Sequence, residues 1–297
     1  MERENRNLLS AIIPFTSNPE RVRNVIQIVE SAANLHISIV LVYDSEDAVP
    51  EQIQFYVNAQ PDKILLINGY WQNPGDSRNA GLAIVKTDWV TFWDSDDAPN
   101  CLLVLEMVEN AEASSSDCCV GGFEISSSSN VPIRKFSPSA IEWQESAYSF
   151  PGLWRFAFRF SKVSDLKFSQ ISMGEDQEFL ARALTSSDSI YVYDGYVYKY
   201  IIGASDQLTK KFKNFGGLFY VFQELDKLHK PSINQVAKLI GVMKFKLMAT
   251  SLKRGSLKVK CLMFLKFLKV MLNIHTFRIG NVGHGLILSL RKIMRGV

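Results

Sequence analysis

Three carboxylates lie within four residues of this sequence, at Asp94, Asp96 and Asp97. They directly follow the apolar segment Trp89–Trp93, whose pattern predicts a strand. Carboxylates this close together raise one another's pKa unless a cation neutralises them, and hard oxygen ligands suit Mg²⁺ or Mn²⁺. An acidic loop in solvent, with Asp97 as the cap of the next helix, explains the same residues. The cluster alone is compatible with either interpretation.

A turn that leads into a helix, Asn73–Gly81, contains Ser77 and Arg78. Backbone N–H groups at a helix N-terminus, together with an arginine side chain, would hold a diphosphate group. The simpler local alternative is an ordinary helix cap at Ser77 with a solvent-exposed Arg78.

Two further acidic segments could take part in chemistry. Asp44–Asp47 follows the second predicted strand, where a carboxylate could accept hydrogen bonds from a nucleobase or ribose. Glu175 and Asp176 begin a predicted helix. Ordinary turn formation is the alternative for the first segment, and compensation of the helix dipole is the alternative for the second.

Alternating strands and helices must position these residues. Strands are predicted at 8–15, 37–43, 63–67 and 89–93, and helices at 20–34, 49–58 and 77–85. A helix at 99–113, a strand at 118–125, a polar loop at 126–130, an aromatic-rich stretch at 143–160 and a helix at 175–184 follow. The alternation predicts an α/β fold with a doubly wound, mostly parallel sheet, whose ligand crevice lies at the carboxyl ends of the strands.

The charge distribution divides the chain of 297 residues into two parts. The net charge is only +3, but residues 1–209 hold 15 basic and 28 acidic residues, whereas residues 210–297 hold 18 basic and 2 acidic residues. We therefore expect an α/β domain over 1–209 and a basic helical region over 210–297, with helices at 218–229, 233–252 and 257–272.

The remaining features concern location and partners. Four cysteines without a C-x-x-C spacing, no export signal and no uninterrupted apolar span predict a cytoplasmic protein in a reducing compartment. The basic amphipathic segment 257–272 predicts contact with an anionic membrane surface, at the inner face of the cell membrane. A plain packing helix is the alternative, and the absence of a recognition motif argues against nucleic acid as a partner.

The order of these motifs resembles the family 2 glycosyltransferases with the GT-A fold, over about residues 8–209. The second-strand turn departs from that family's Asp-Asp-Gly-Ser, because a single Asp44 follows Tyr43 and no glycine comes next. The segments that carry the resemblance are Ile12–Asn18, Asp44–Asp47, Gly75–Gly81, Asp94–Asp97, Val120–Ile125, Glu175–Asp176 and Tyr198–Tyr200 with Ser205.

The resemblance implies a role for each matching residue. Asp94 and Asp96 would bind the ribose and the divalent metal, Mn²⁺ or Mg²⁺, with Asp96 as the main ligand. Asp176 would be the catalytic base, and Glu175, Asp97 and Asp47 are secondary candidates. The donor would be a nucleoside-diphosphate sugar, by default a UDP-sugar. The implied donor-binding residues are Pro14, Thr16, Asp44, Arg78, Asn79, Asp94 and Asp96.

The activity implied by the resemblance is an inverting, metal-dependent glycosyl transfer to a saccharide or lipid-linked oligosaccharide, in bacterial surface polysaccharide synthesis. Two alternatives remain open. A nucleotidyltransferase could use paired acids on a similar sheet, although the triphosphate-binding loop expected after its first strand is missing. A non-catalytic nucleotide-binding scaffold at the membrane is the other.

Overall fold

The structure is a computed structural model that describes residues 7–129, 131–136, 151–171, 173–203, 216–228 and 234–254. Strands and helices alternate through the first part of the chain, in the predicted order. The strands are β1 (Leu9–Phe15), β2 (Ile37–Asp44), β3 (Ile64–Gly69) and β4 (Trp89–Phe92), and the helices are α1 (Pro19–Ala32), α2 (Glu51–Ala59) and α3 (Pro74–Leu82).

Helix α3 begins three residues before the predicted position. The Asn73 side chain accepts a hydrogen bond from Gly75 N, and Pro74 occupies the first turn, where its missing N–H is not needed. The alternative cap at Ser77 is therefore wrong, because Ser77 lies inside the helix.

The second part of the chain adds mixed elements. Pro99 lies in a strand instead of a helix, and the cap of the helix that follows is Asn100, whose Oδ1 accepts from Leu103 N, so the suggested cap at Asp97 is wrong. These elements are β5 (Ala98–Pro99), α4 (Cys101–Ala113), β6 (Cys118–Ser127), β7 (Pro132–Phe136), β8 (Phe156–Arg159), α5 (Phe160–Val163), α6 (Glu175–Thr185), β9 (Ile190–Ile202), α7 (Gly216–Lys227) and α8 (Asn234–Arg254).

The strands form one sheet in the order β3-β2-β1-β4-β8-β6-β9-β5, with β7 paired to β6. The four strands β3, β2, β1 and β4 are parallel, and β9 is parallel to β6, whereas β8 is antiparallel to both of its neighbours. This arrangement confirms the predicted α/β fold class. Because β1, β2 and β4 are parallel, the loops that follow them meet at one edge of the sheet.

Helices cover both faces of the sheet. Leu9, Ala11 and Ile13 of β1 belong to a core shared with α1, α2 and α4, while Ile12 belongs to a second core on the opposite face. Helix α3 lies close to this second face, because a Cβ at Gly81 would stand 2.5 Å from Ile12 Cγ2. Such close contact fixes the position of α3 against β1.

Helices α7 and α8 contribute to the second core together with α6. The predicted boundary at 209 lies within residues 204–215, outside the described residues, as does the predicted helix 257–272. The predicted helices at 218–229 and 233–252 are confirmed within a few residues of their bounds. Among the described helices, none has the length and hydropathy needed to cross a membrane.

Candidate active site

The three acids that follow β4 form a compact cluster at the carboxyl edge of the sheet. One carboxylate oxygen from each of Asp94, Asp96 and Asp97 lies within 4.8 Å of the others. The sequence-predicted acidic cluster therefore exists as a group of converging side chains. This spacing allows one cation to contact several of these oxygens at once.

Each acid of the cluster has a different set of partners. Asp94 Oδ1 lies 2.7 Å from an Arg78 amino group, and Asp96 Oδ1 lies 2.6 Å from an Arg21 amino group. Asp97 is fully buried; its Oδ1 accepts from Ile201 N at 2.8 Å, while its buried Oδ2 has no hydrogen-bond partner among the described residues. The cluster thus retains an unsatisfied buried oxygen.

Burial raises the pKa of Asp97 well above its ordinary value, and the charges of Asp96 and Asp94 raise it further. Burial also raises the pKa of Asp96, together with the charge of Asp94 and against the opposing effect of Arg21. Both shifts indicate a site that is short of positive charge. A divalent cation with oxygen ligands would supply that charge, so the residues present fit such an ion.

Two side chains hold the acidic loop in place. Asn24 Nδ2 donates to the carbonyl oxygens of Ser95 and Asp97, at 2.9 and 2.7 Å. From the other side, Asp94 N donates to the Tyr198 hydroxyl at 3.1 Å. The loop is therefore tied to α1 and to β9, which fixes the positions of its carboxylates before any ligand binds.

Arg78 connects the acidic cluster with the acids at the start of α6. One of its amino groups contacts Asp94, and the other lies 3.1 Å from Glu175 Oε1. Its guanidinium also lies over the Phe168 ring, 5.6 Å from the centroid, and only 8% of the residue is exposed. Burial lowers its pKa, but Asp94, Glu175 and Asp176 outweigh that effect and raise it overall. The alternative of a solvent-exposed Arg78 is therefore wrong.

Asp176 lies in the first turn of α6, directly after Gly174 and Glu175. Gly174 has a φ of 91°, a left-handed conformation that a glycine adopts without strain, and it sets the direction in which α6 begins. Burial and the charge of Glu175 raise the pKa of Asp176 to about 7, against the lowering effect of Arg78. A carboxylate with a pKa near neutrality is suited to accept a proton.

Asp44 is bound to the loop that leads from β3 into α3. Its Oδ1 accepts from Trp71 N at 2.7 Å and from Gln72 N at 3.1 Å, and its Oδ2 accepts from Ser77 Oγ at 2.8 Å. Asp47, the secondary candidate in this turn, is exposed and accepts a hydrogen bond from Ser45 Oγ. Asp44 therefore holds the segment between β3 and α3 in place, and it does so with the carboxylate that was expected to bind the nucleobase.

The remaining predicted residues lie around the same edge. Pro14 pairs with Val42 in the parallel ladder at the end of β1, and Thr16 follows in the exposed turn, where its Oγ1 accepts from Asn18 N. Asn79, in contrast, is committed to the protein backbone, because its side chain bonds to Phe168. The predicted site residues thus lie at the ends of β1 and β2, on the loops that follow β1, β2 and β4, in helix α3, or at the start of α6.

The structure brings four further residues to this site: Arg21, Asn24, Phe168 and Tyr198. Arg21 and Asn24 are three residues apart in α1, so they lie on the same face near the start of this helix. In the sequence, this spacing is only weak evidence that both residues belong to the site. Phe168 reaches the site only through long-range contacts, which no local pattern reports, whereas Tyr198 belongs to the segment Tyr198–Tyr200 that carries the family resemblance but had no predicted site role.

Comparisons with known proteins agree with this geometry. The family model described as "Glycosyl transferase family 2" matches residues 10–173. The succinoglycan biosynthesis protein ExoO of Rhizobium meliloti (strain 1021) is 27% identical over 199 residues, which is 59% of this chain and 56% of that protein. The pre-mycofactocin glycosyltransferase of Mycobacterium tuberculosis is 33% identical over 91 residues, which is 31% of this chain and 18% of that protein. The chain thus spans about half or less of these relatives.

Solved structures show the same fold at low sequence identity. S. aureus TarS 1-349, in complex with UDP-GlcNAc, superposes with a TM-score of 0.63 at 16% identity, covering 84% of this chain and 74% of that one. The mannosyltransferase PcManGT from Pyrobaculum calidifontis, in complex with GDP-Man and Mn²⁺, superposes with a TM-score of 0.56 at 14% identity, covering 97% of this chain and 87% of that one.

Proposed function

The chain belongs to glycosyl transferase family 2, as the order of its motifs predicted, and we propose that it transfers a sugar from a nucleoside-diphosphate sugar to a hydroxyl group of a saccharide or lipid-linked oligosaccharide. PcManGT is a mannosyltransferase in complex with GDP-Man, TarS binds UDP-GlcNAc, and ExoO is a succinoglycan biosynthesis protein, and each of these supports this class of reaction. Family membership also favours glycosyl transfer over the nucleotidyltransferase alternative.

One observation carries the proposal: the acidic cluster and the acids of α6 lie on two sides of Arg78, which contacts both. A metal-dependent sugar transfer needs carboxylates that hold a cation on the leaving-group side and a base on the acceptor side. Asp94 and Asp96 would serve the first purpose, and Asp176 would serve the second. Because both Arg78 amino groups bind carboxylates, we assign Arg78 to holding Asp94 and Glu175 at a fixed separation.

The donor would bind with a divalent cation, Mn²⁺ or Mg²⁺. Asp96 and Asp94 would hold this ion, with the unpartnered oxygen of Asp97 in support. When bound, the ion would supply positive charge to the diphosphate leaving group. The complex of PcManGT with GDP-Man and Mn²⁺ supports metal use, while TarS with UDP-GlcNAc keeps UDP as an equal candidate for the donor base.

We infer an inverting reaction from the position of the base. Asp176 Oδ would accept the proton of the acceptor hydroxyl as that oxygen attacks the anomeric carbon on the face opposite the leaving diphosphate. Glu175, held by Arg78 at 3.1 Å, keeps a second negative charge next to Asp176 and so maintains its basicity. The loop clamped by Asn24 and Tyr198 keeps the donor side rigid while the proton moves.

The acceptor would be a growing saccharide at the membrane. The name of ExoO supports a role in surface polysaccharide synthesis. Residues 210–297 hold 18 basic and 2 acidic residues, and we propose that they bring the enzyme to the inner face of an anionic membrane, where a lipid-linked acceptor would lie. The side chains of the basic segment 257–272 lie outside the described residues.

A binding and turnover experiment with three proteins tests the proposal. Wild type, Asp96→Asn and Asp176→Asn are titrated with UDP and GDP, with and without Mn²⁺, by thermal unfolding, and are assayed for slow hydrolysis of the matching donor. A ligand at 100 times its Kd stabilises a protein by about 2.7 kcal/mol. We expect a metal-dependent shift in wild type and Asp176→Asn, no shift in Asp96→Asn, and hydrolysis in wild type only.

The exposed Asp62 provides the matched control, since Asp62→Asn removes a carboxylate that lies before β3 and is not among the predicted site residues. If no nucleotide stabilises the wild type with or without metal, the glycosyltransferase proposal fails. If Asp176→Asn hydrolyses the donor at the wild-type rate, the protein is a transferase with another base. A scaffold without catalysis would bind nucleotide and never release sugar.

A further inference from the structure

Arg21 is the second cation of the active site, and nothing in the proposed reaction uses it. Its amino group lies 2.6 Å from Asp96 Oδ1, and the side chains of Arg21 and Asp96 are only 14% and 24% exposed. Asp96 is also the main metal ligand of the proposed function. A guanidinium therefore contacts the carboxylate that a divalent cation would need.

The position of Arg21 is fixed by its neighbours. Asn24, on the same face of α1, binds the carbonyl oxygens of Ser95 and Asp97, so α1 is attached to the acidic loop. The side chain of Asn18 caps the first turn of the helix and accepts from Arg21 N at 3.5 Å. The contact between Arg21 and Asp96 is thus built into the docking of α1 on the loop.

We propose that Arg21 competes with the divalent cation for Asp96 and thereby lowers the metal affinity of the donor-free enzyme. This inference rests on the proposed function, because it concerns the metal site of that reaction. The guanidinium of Arg21 already pairs with the carboxylate of Asp96, so the cluster attracts an incoming divalent ion less strongly than three unpaired carboxylates would. The guanidinium of Arg21 also repels a divalent ion a few ångströms away, because both are positively charged.

The donor would reverse this balance. A nucleoside diphosphate brings negative charge to the same edge of the sheet, which favours a second cation next to Arg21. Metal and donor should then bind cooperatively, each raising the affinity of the other by the same factor. The enzyme would hold little metal until the donor arrives, and Arg21 would determine how strongly the two are coupled.

Direct measurement of Mn²⁺ binding tests this role without any assay of activity. Free Mn²⁺ is titrated against each protein and followed by electron paramagnetic resonance, with Mn²⁺ alone and then with UDP or GDP. We expect Arg21→Gln to bind Mn²⁺ alone about tenfold more tightly than wild type, with a smaller gain on addition of nucleotide. Arg21→Lys keeps the charge and should stay close to wild type, which separates charge from packing.

Two further variants show whether a negative result concerns Arg21 alone or the proposed metal site as a whole. Arg23→Gln removes an exposed arginine two residues away on the same helix and should leave Mn²⁺ affinity unchanged. Asp96→Asn should lose Mn²⁺ binding. If Arg21→Gln and wild type bind Mn²⁺ equally while Asp96→Asn does not, the competition is refuted and the metal site stands. If Asp96→Asn binds as well as wild type, both assignments are overturned.

Discussion

Asn79 and Phe168 are joined by two hydrogen bonds through a single side-chain amide. Asn79 Nδ2 donates to Phe168 O at 2.9 Å, and Phe168 N donates to Asn79 Oδ1 at 2.7 Å. The bonded segment leads within a few residues to Gly174 and α6, where the proposed base lies. Asn79, which the family resemblance placed among the donor-binding residues, thus holds the backbone of the segment that leads to Asp176.

Replacing Asn79 by alanine should therefore affect stability and turnover together. The variant leaves two partly buried backbone groups of Phe168 without their partners, which costs about 1–3 kcal/mol for each unsatisfied group. Urea unfolding should show a lower free energy of unfolding, and donor hydrolysis should fall while Mn²⁺-dependent nucleotide binding is largely kept. Asn110→Ala is the control, because Asn110 is exposed and makes one local bond to Glu106 O. Loss of nucleotide binding in Asn79→Ala would instead place Asn79 on the donor.

The helices that follow the site should unfold together with it. Leu239 of α8 is fully buried in the core that also contains Phe179 and Leu180 of α6. Leu239→Ala removes a buried side chain at a cost of about 2–5 kcal/mol and should lower the temperature of a single unfolding transition. Lys238→Ala, next to it on the helix, should change that temperature little. A second, separate transition in the scan would show that α7 and α8 form an independent unit.

The strands and helices that could be predicted from the sequence are those whose hydrophobic pattern is visible within the element itself. β1, β2 and β4 are short apolar runs buried on both faces, and α1 places its buried residues at helical spacing. The position of the acids after β4 follows from the strand alone. For the same reason, the meeting of these loops at one edge was predictable once the strands were taken as parallel.

The rest depends on contacts that no local pattern records. β5 is two residues long and exists because Pro99 pairs with Tyr198, far away in sequence. The charge partners of the cluster are equally remote, since Arg21 belongs to an amphipathic helix whose polar face resembles any solvated surface. The family motif drew attention to Arg78 and Asp44, but their partners, Glu175 and the backbone of Trp71, emerge only from packing.

Replacing Asp44 should show whether this residue stabilises the fold, binds the nucleobase, or does both. Its carboxylate accepts two hydrogen bonds from the loop between β3 and α3 and one from Ser77 in α3, whereas the Asp44→Asn side chain can accept through only one oxygen. We expect the ligand-free variant to lose about 1–3 kcal/mol of unfolding free energy. Asp47→Asn, in the same turn but exposed, should lose almost none. Unchanged stability of Asp44→Asn, with lost preference between UDP and GDP, would assign Asp44 to the nucleobase alone.

The pH dependence of turnover should report the ionisation of Asp176. A base must be deprotonated to accept a proton, and the pKa of Asp176 is raised to about 7 by burial and by Glu175. We therefore expect kcat/KM for donor turnover to rise about tenfold per pH unit below that value and to level off above it. Glu175→Gln removes the neighbouring charge, so its acid limb should move to lower pH, whereas Asp188→Asn, an exposed carboxylate beyond α6, should leave the limb in place. An acid limb that does not move in Glu175→Gln would mean that another group titrates.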